Sequence, residues 1–258
     1  MQIAVFSFMF LVPVLNLLEI YFVKGTFISL DIGSLGIADP VMILQAVIAS
    51  FTLSGVLLTS ALIPALMTFF FGRIWCSWAC PYTLIMEWIE KIPPAAKLMR
   101  KNRAKLQNNG IVKRTVITRY FVFLGFLFLV GVCGVPVLHL FSPPAVLSTQ
   151  ALLLMKNFTL TVEILFIIAL LAAEIFFSYR FACRYLCPTG TCLSLFKSSA
   201  GLRVSYRGSC IDCKKCLPAC PMGLDPMKDE GHSLCFNCGD CINCCPDKTR
   251  PLFWKIGR

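Results

Sequence analysis

Long stretches without charge are the feature that most limits what this chain can fold into. No Asp, Glu, Lys or Arg occurs in residues 40–72 or in residues 120–155. Two further segments, at the N-terminus and before residue 180, are apolar with isolated acids. About 20 apolar residues in a helix span a hydrocarbon core, so these lengths predict an all-α integral membrane domain rather than a soluble helical bundle. The four transmembrane helices are expected at residues 3–23, 43–71, 120–141 and 157–179.

The distribution of basic residues predicts the orientation of these helices. Only 14% of the residues are charged, against about 25% in soluble domains, which excludes an ordinary soluble globule. Of the 24 Lys and Arg residues, 10 fall in residues 72–119 and 12 in residues 180–258. Because basic residues favour the cytoplasmic side, both termini and the loop at residues 88–118 are expected there, in a multi-pass protein of the bacterial cytoplasmic membrane. The net charge of +11 then indicates contact with lipid headgroups and no nucleic-acid partner.

Eight cysteines near the C-terminus follow the spacing of a bacterial two-cluster ferredoxin. The run C-x2-C-x2-C-x3-C-P occurs twice, and in this pattern the fourth cysteine of each run ligates the other cluster. The pattern predicts two [4Fe–4S] clusters in a cytoplasmic α+β ferredoxin-like module over residues 201–258. A zinc site does not require the repeated C-x3-C-P ending, and a cytoplasmic module excludes a disulfide framework. The first cluster is assigned to Cys210, Cys213, Cys216 and Cys245, and the second to Cys235, Cys238, Cys241 and Cys220.

A shorter cysteine motif, C-x3-C-P, occurs twice in the apolar part of the chain, at residues 76–81 and 183–188. Each copy follows the second helix of a predicted helix pair, which indicates a duplication. The membrane domain over residues 1–200 would then consist of two parallel helix-pair repeats. Symmetry is expected to bring four thiols to one level, where they hold a third Fe–S cluster or act as redox thiols; buried structural cysteines are the alternative. The four are Cys76, Cys80, Cys183 and Cys187.

Several common cofactors have no recognisable binding sequence in this chain. Only two histidines, His139 and His232, are present, and only His139 falls on a predicted helix. A bis-histidine haem is therefore not expected, and no C-x-x-C-H sequence, P-loop or GxGxxG occurs. The sequence predicts no haem, no NAD and no flavin.

The four predicted spans, the two C-x3-C-P motifs and the terminal ferredoxin module, in this order, resemble the NapH family of quinol dehydrogenases. The wider group includes NosR-like and CcoG-like proteins. The likeness includes Asp39-Pro40-Val41 with Gln45, and residues 73–81. It implies a subunit that oxidises menaquinol or ubiquinol and passes electrons through [4Fe–4S] clusters in an anaerobic respiratory chain. The implied partner is an iron–sulfur protein or a multihaem cytochrome c that feeds a terminal reductase.

Two other functions are compatible with the same motifs. One is a subunit of a larger membrane oxidoreductase that moves electrons without binding quinone. The other is a maturation factor that reduces the metal centres of another enzyme. Quinone-site inhibitors would block reduction of the partner only if the chain oxidises quinol.

Ionisable residues within the predicted spans are the candidates for receiving protons from a quinol. Charged groups at membrane depth are costly and mark functional sites, and quinol oxidation needs a carboxylate or a histidine as proton acceptor. Glu19, His139 and Glu163 fall near the outer ends of predicted helices and define one candidate site. Glu174 lies nine residues before Cys183 and defines a second site, which we favour because it is nearest the predicted clusters.

Overall fold

A computed structural model of the chain describes residues 2–17, 23–26, 29–32, 35–50, 52, 54–105, 109–134, 136–157, 161–176, 179–198, 200–208, 210–246 and 251–257. Up to the first cysteine motif the elements are α1 (Gln2–Leu17), β1 (Val23–Thr26), β2 (Ser29–Ile32), β3 (Leu35–Ala38), α2 (Pro40–Ser50) and α3 (Gly55–Phe71). A π-helical turn (Trp75–Ala79) leads into α4 (Pro81–Ile89), α5 (Pro93–Lys105) and α6 (Asn109–Cys133).

The second half of the chain repeats part of this order. It contains α7 (Val137–Leu140), α8 (Pro143–Asn157), α9 (Glu163–Phe176), a second π-helical turn (Ala182–Leu186) and α10 (Pro188–Phe196). The C-terminal tail contains β4 (Arg203–Tyr206), α11 (Cys216–Ala219), α12 (Asp240–Asn243) and β5 (Leu252–Lys255). Strand β4 pairs antiparallel with β5, from Arg203 opposite Lys255 to Tyr206 opposite Leu252. The tail thus combines strands and short helices, as a ferredoxin-like module does.

The prediction of an all-α membrane domain with four transmembrane helices is wrong. Within the described ranges, only the helix at Ile111–Cys133 is long and apolar enough to cross a membrane. Helices α1, α3 and α9 have 16, 17 and 14 residues. At about 1.5 Å per residue they fall short of the ~30 Å thickness of a hydrocarbon core. With one candidate span among the described residues, the structure does not show two transmembrane helix pairs.

Polar side chains explain why the predicted span at residues 43–71 is two helices. The Ser50 hydroxyl donates to the Ala46 carbonyl at 2.7 Å and lies 2.8 Å from the Thr52 hydroxyl. Ser54 has an extended backbone (φ −93°, ψ 144°) and precedes the first residue of α3. Serine and threonine compete with the backbone for helical hydrogen bonds, so α2 ends at Ser50.

The predicted span at residues 120–141 is shifted towards the basic segment. Helix α6 begins at Asn109, within the predicted loop at residues 88–118, which also contains α5. It ends at Cys133 because Gly134 adopts a left-handed backbone (φ 65°), a conformation that glycine enters without a steric penalty. The Gly134 N–H donates to the Val130 carbonyl at 2.9 Å and closes the last turn.

A small antiparallel sheet replaces part of the first predicted loop. Strands β1, β2 and β3 pair in sequence order, with Val23 opposite Ile32 and Ser29 opposite Ala38. Strand β3 packs against α3, and β1 packs against α1. The sheet matters for the site because Ile37 and Ala38 lead directly into Asp39, which precedes α2.

Asn237 attaches the tail to the helices. Its side chain is fully buried and its amide donates to the Phe71 carbonyl at 2.9 Å and to the Leu202 carbonyl at 2.7 Å. Phe71 is the last residue of α3, so this amide joins the tail to the segment that precedes the first cysteine motif.

Asn237→Ala is expected to lower the free energy of unfolding by about 2–4 kcal/mol, because two buried carbonyls lose their donor. In addition, Asn237 has a left-handed backbone (φ 56°), which is unfavourable for alanine. Asp212→Ala is the matched control, since Asp212 has the same backbone (φ 51°) but its side chain is 71% exposed. Denaturant unfolding of the cluster-loaded protein measures both variants. Equal losses for the two would contradict the role of the amide.

Candidate metal centres and a neighbouring cavity

The two C-x3-C-P motifs adopt the same local structure. In each copy a five-residue π-helical turn carries the first cysteine, and the second cysteine, Cys80 or Cys187, is extended (φ −77°, ψ 119° and φ −61°, ψ 110°). The following proline is the first residue of a nine-residue helix, α4 or α10. Proline suits this position because the first helical N–H has no intrahelical partner. The motifs are therefore equivalent in backbone as well as in sequence.

The four cysteines of these motifs line one cavity, named here the four-cysteine cavity (Cys76, Cys80, Cys183 and Cys187). Burial raises the pKa of Cys80 and of Cys187 to about 12, so both thiols favour the protonated form when nothing is bound. Four soft sulfur ligands suit an iron–sulfur cluster. Binding a metal centre there would displace the thiol protons.

Two buried arginines accompany the four-cysteine cavity. Arg73 and Arg119 are each 1% exposed, and no ion pair among the described residues joins either of them to a carboxylate. Arg73 Nε and Arg119 Nη2 have no hydrogen-bond partner within the described part of the chain. A Cβ atom at Gly190 would lie 2.8 Å from Arg73 Nη2 and 3.8 Å from Cys187 Sγ, so glycine leaves room for both. Unpaired buried cations are costly, and a thiolate-ligated cluster, which is an anion, would compensate for them.

The second cysteine set of the tail also surrounds a cavity, named here the tail cavity. It is lined by all four residues predicted for the second cluster, together with Val204 and Leu224. Those four are Cys220, Cys235, Cys238 and Cys241. The loop that supplies three of them bends through left-handed residues at Asn237 and Gly239 (φ 56° and 85°).

The first cysteine loop of the tail has the same bends. Asp212 and Lys214 have φ values of 51° and 54°, and they stand at the same offsets from Cys210 as Asn237 and Gly239 do from Cys235. Left-handed non-glycine residues cost about 1–3 kcal/mol each and cluster at functional sites. The two loops therefore share left-handed residues at the same offsets from their first cysteine.

The set predicted for the first cluster is less enclosed. Cys216 is buried in a core with Cys241, Val204 and Leu252, whereas Cys210, Cys213 and Cys245 are partly exposed. Burial raises the pKa of Cys216 to about 11. Among the described residues, no group of three or more His, Cys, Asp or Glu lies close enough to hold a single metal ion.

A third and larger cavity, of about 540 Å³, lies beside the four-cysteine cavity and is named here the large cavity. Its walls are mainly apolar side chains of β3, α3 and α10, and Asp39 is the one carboxylate among the described residues that line it. The Asp39 Oδ1 accepts from the Val41 N–H at 3.0 Å, and Oδ2 accepts from the Thr189 hydroxyl at 2.6 Å. A volume of this size is typical of small-molecule sites.

Glu174, the favoured proton acceptor in the sequence analysis, lines neither the large nor the four-cysteine cavity. It is fully buried, and its Oε1 accepts from the Ala182 N–H at 3.0 Å. Burial raises the pKa of Glu174 to about 7, opposed by the charge of Arg180. The carboxylate therefore holds the start of the second π-helical turn, which carries Cys183.

Of the other predicted proton acceptors, His139 and Glu163 do not line the large cavity. His139 Nε2 is 3.1 Å from the Thr149 hydroxyl, and Glu163 Oε2 accepts from the Gln150 amide at 3.1 Å. Both partners are on α8. Glu19 lies outside the described residues.

Sequence reasoning missed Asp39 as a site residue. The sequence does contain a signal for it, because an acid stands immediately before Pro40, the first residue of an 11-residue apolar helix. Such a position also fits an ordinary helix N-cap, and Asp39 does act as one through Val41. Only the contact with Thr189, 150 residues away in the chain, places Asp39 beside the cysteine motifs.

Comparison with known proteins now defines the class. The family model described as a 4Fe–4S binding domain matches residues 53–105 and 159–200. Each matched segment contains one C-x3-C-P motif. The chain is therefore a ferredoxin-type electron-transfer protein with 4Fe–4S binding segments.

Individual relatives are distant. The methylamine utilization ferredoxin-type protein MauN of Paracoccus denitrificans is 28% identical over 83% of this chain and 73% of its own length. An uncharacterized protein of Methanocaldococcus jannaschii is 24% identical over 74% of this chain and 76% of its own length. Protein RdxA of Cereibacter sphaeroides is 24% identical over 75% of this chain and 44% of its own length. No solved structure matches the chain significantly, and the narrower likeness to NapH proteins stays a prediction.

Proposed function

We propose that the chain is a quinol-oxidising electron-transfer subunit, in which the large cavity binds the quinol. The observation that carries the proposal is that three cavities share walls. Trp75, Pro144 and Thr189 line both the large cavity and the four-cysteine cavity. Met222 and Phe236 line both the four-cysteine cavity and the tail cavity. The cavities that would hold a quinol and two metal centres are therefore adjacent in space, each sharing wall residues with the next.

The residues present fit iron–sulfur clusters in these cavities. Arg73 lines the cavity that holds four thiols, Arg119 Nη2 would lie 3.2 Å from a Cβ at Gly190 in its wall, and the tail cavity has four more thiols. When bound, [4Fe–4S] clusters accept and release single electrons. The protein would hold the two tail clusters next to each other, because Cys241 of the tail cavity and Cys216 of the first set pack in one core. We propose the loop at Cys210, where Ile211 is 63% exposed, as the exit towards a partner redox protein.

We also propose that the protein is associated with the cytoplasmic membrane, where quinols are found. Only 17% of the most apolar stretch of the helix at Ile111–Cys133 is buried, so this helix is not the core of a soluble bundle. Phe121, Leu124 and Phe128 on it are 77%, 62% and 72% exposed. Apolar surface of this kind is typical of contact with lipid or protein.

Filling the large cavity is expected to block quinol oxidation. Ile63 lines the cavity, so Ile63→Trp should slow reduction of the clusters by decylubiquinol by at least about tenfold, which corresponds to ~1.4 kcal/mol of activation free energy. Reduction by dithionite, which needs no quinol site, should be unchanged. Anaerobic stopped-flow absorbance of the clusters measures both rates.

Leu62→Trp is the control for this variant, because Leu62 is the preceding residue on α3, is 55% exposed and does not line the large cavity. It should leave both rates unchanged. A wild-type protein whose clusters dithionite reduces and quinols do not would overturn the proposal. It would favour a subunit that passes electrons without binding quinone.

A further inference from the structure

We propose that Asp39 is the group that takes the protons of the bound quinol, and that the Thr189 and Ser142 hydroxyls carry them onward. This inference rests on the proposed function, and it names the reacting residue in the large cavity. Asp39 is 8% exposed and lies in the wall of that cavity. The acceptor is therefore where the quinol would be and out of bulk water.

The carboxylate is held in one orientation by two different kinds of donor. The Val41 N–H is fixed by helix α2 and bonds to Oδ1, while the Thr189 hydroxyl bonds to Oδ2. A carboxylate oxygen has two acceptor positions, so each oxygen keeps one for a quinol hydroxyl. A fixed acceptor of this kind is what general base catalysis requires.

The surroundings of Asp39 favour uptake of a proton. No ion pair in the described part of the chain includes Asp39, and the thiol of Cys192 on α10 is in electrostatic contact with it. Burial raises the pKa of Asp39 above its ordinary value, although the two hydrogen bonds oppose the shift. Glu174, by contrast, has the Arg180 guanidinium beside it.

A path for the proton leads away from Asp39. The Thr189 hydroxyl is also 3.0 Å from the Ser142 hydroxyl, and these side chains are 4% and 0% exposed. A hydroxyl can donate one hydrogen bond and accept others at the same time. The chain of Asp39, Thr189 and Ser142 can therefore pass a proton by reversing its hydrogen bonds.

The chemistry balances with the groups already named. Oxidation of one quinol breaks two O–H bonds, forms two C=O bonds and releases two protons and two electrons. Each proton passes in turn to Asp39 and onward through Thr189 and Ser142, with water as the final acceptor, before the next arrives. The two electrons are accepted singly by the iron–sulfur clusters of the proposed function.

Asp39→Asn tests the role of the carboxylate, because asparagine keeps the shape and can still accept from Val41 or Thr189. Reduction of the clusters by decylubiquinol is expected to slow by about 10²-fold or more, the usual contribution of a general base. Binding of decylubiquinone, followed by quenching of the fluorescence of Trp75 in the cavity wall, should stay within about threefold. Asp39→Glu should recover part of the rate.

Asp31→Asn is the control, since it removes the same charge from an exposed residue on β2 that does not line the large cavity. It should leave rate and binding unchanged. An unchanged rate in Asp39→Asn, or loss of decylubiquinone binding together with the rate, would overturn the role of Asp39 while the proposed function stood. A wild-type protein that no quinol reduces would overturn both.

Discussion

Replacing Cys183 with serine is expected to lower the iron content of anaerobically purified protein from about twelve to about eight atoms per chain, since each [4Fe–4S] cluster holds four irons. Cys183 lines the four-cysteine cavity and not the tail cavity. A serine hydroxyl is a poor substitute for a soft thiolate ligand, so the loss should be confined to one centre. Iron and acid-labile sulfide analysis measures it.

Cys192→Ser is the matched control for this prediction. Cys192 is 5% exposed and lies on α10, the helix that follows Cys187, but it lines none of the three cavities. Its iron content should equal that of the wild-type protein. About eight irons per chain in the wild type, unchanged in Cys183→Ser, would show that the four-cysteine cavity holds redox thiols or structural cysteines and no third cluster.

The lining of the tail cavity agrees with a grouping of cysteines that the sequence predicts, because the information in their spacing is local. The spacing within each run fixes three thiols on one loop, and repetition of the run supplies the fourth from its partner. The structure places Cys220 with Cys235, Cys238 and Cys241, the set that spacing assigns. For the C-x3-C-P motifs the same holds, because two equivalent turns of five residues meet at one cavity.

The membrane spans could not be read in the same way, because counting apolar residues ignores where a helix stops. The uncharged run at residues 40–72 contains Ser50, Thr52 and Ser54, whose side chains and backbone interrupt the helix. The other uncharged run contains Gly134, whose left-handed backbone ends α6. Interruptions of this kind depend on single residues, whereas the hydropathy of a window averages over them.

The proposed proton acceptor shows the limit of judging acids by their predicted depth in a membrane span. Glu174 ranks first if acids are judged by their predicted position in a span, yet its carboxylate bonds to the backbone of Ala182. From sequence alone Asp39 is a weak candidate for a proton acceptor, because it stands at a helix start, where carboxylates are common. Its neighbourhood is set by Thr189 and by the cavity between β3, α3 and α10, and those contacts are tertiary.

Arg73 should control the properties of the four-cysteine cavity, and its loss is the second large effect that we expect. Its Nη1 donates to the Ser233 and Leu234 carbonyls at 3.0 and 3.3 Å, and its Nη2 is 4.0 Å from Cys76 Sγ. Arg73→Met keeps much of the apolar stem and removes the charge. Because a nearby cation stabilises the more negative, reduced form of a cluster, the reduction potential of the centre in this cavity should fall by tens of millivolts.

Lys197→Met separates this charge effect from attachment of the tail. Lys197 Nζ donates to the His232 and Cys235 carbonyls at 3.0 and 3.2 Å, so it holds the same loop as Arg73 does. It lines neither the four-cysteine nor the tail cavity.

Both variants should lower the free energy of unfolding, by about 1.5–3 kcal/mol for hydrogen bonds from a charged donor. Only Arg73→Met should shift the signal that Cys183→Ser abolishes in redox titrations followed by electron paramagnetic resonance. If Lys197→Met shifts that signal equally, the effect comes through the loop, and Arg73 does not set the potential of the four-cysteine centre.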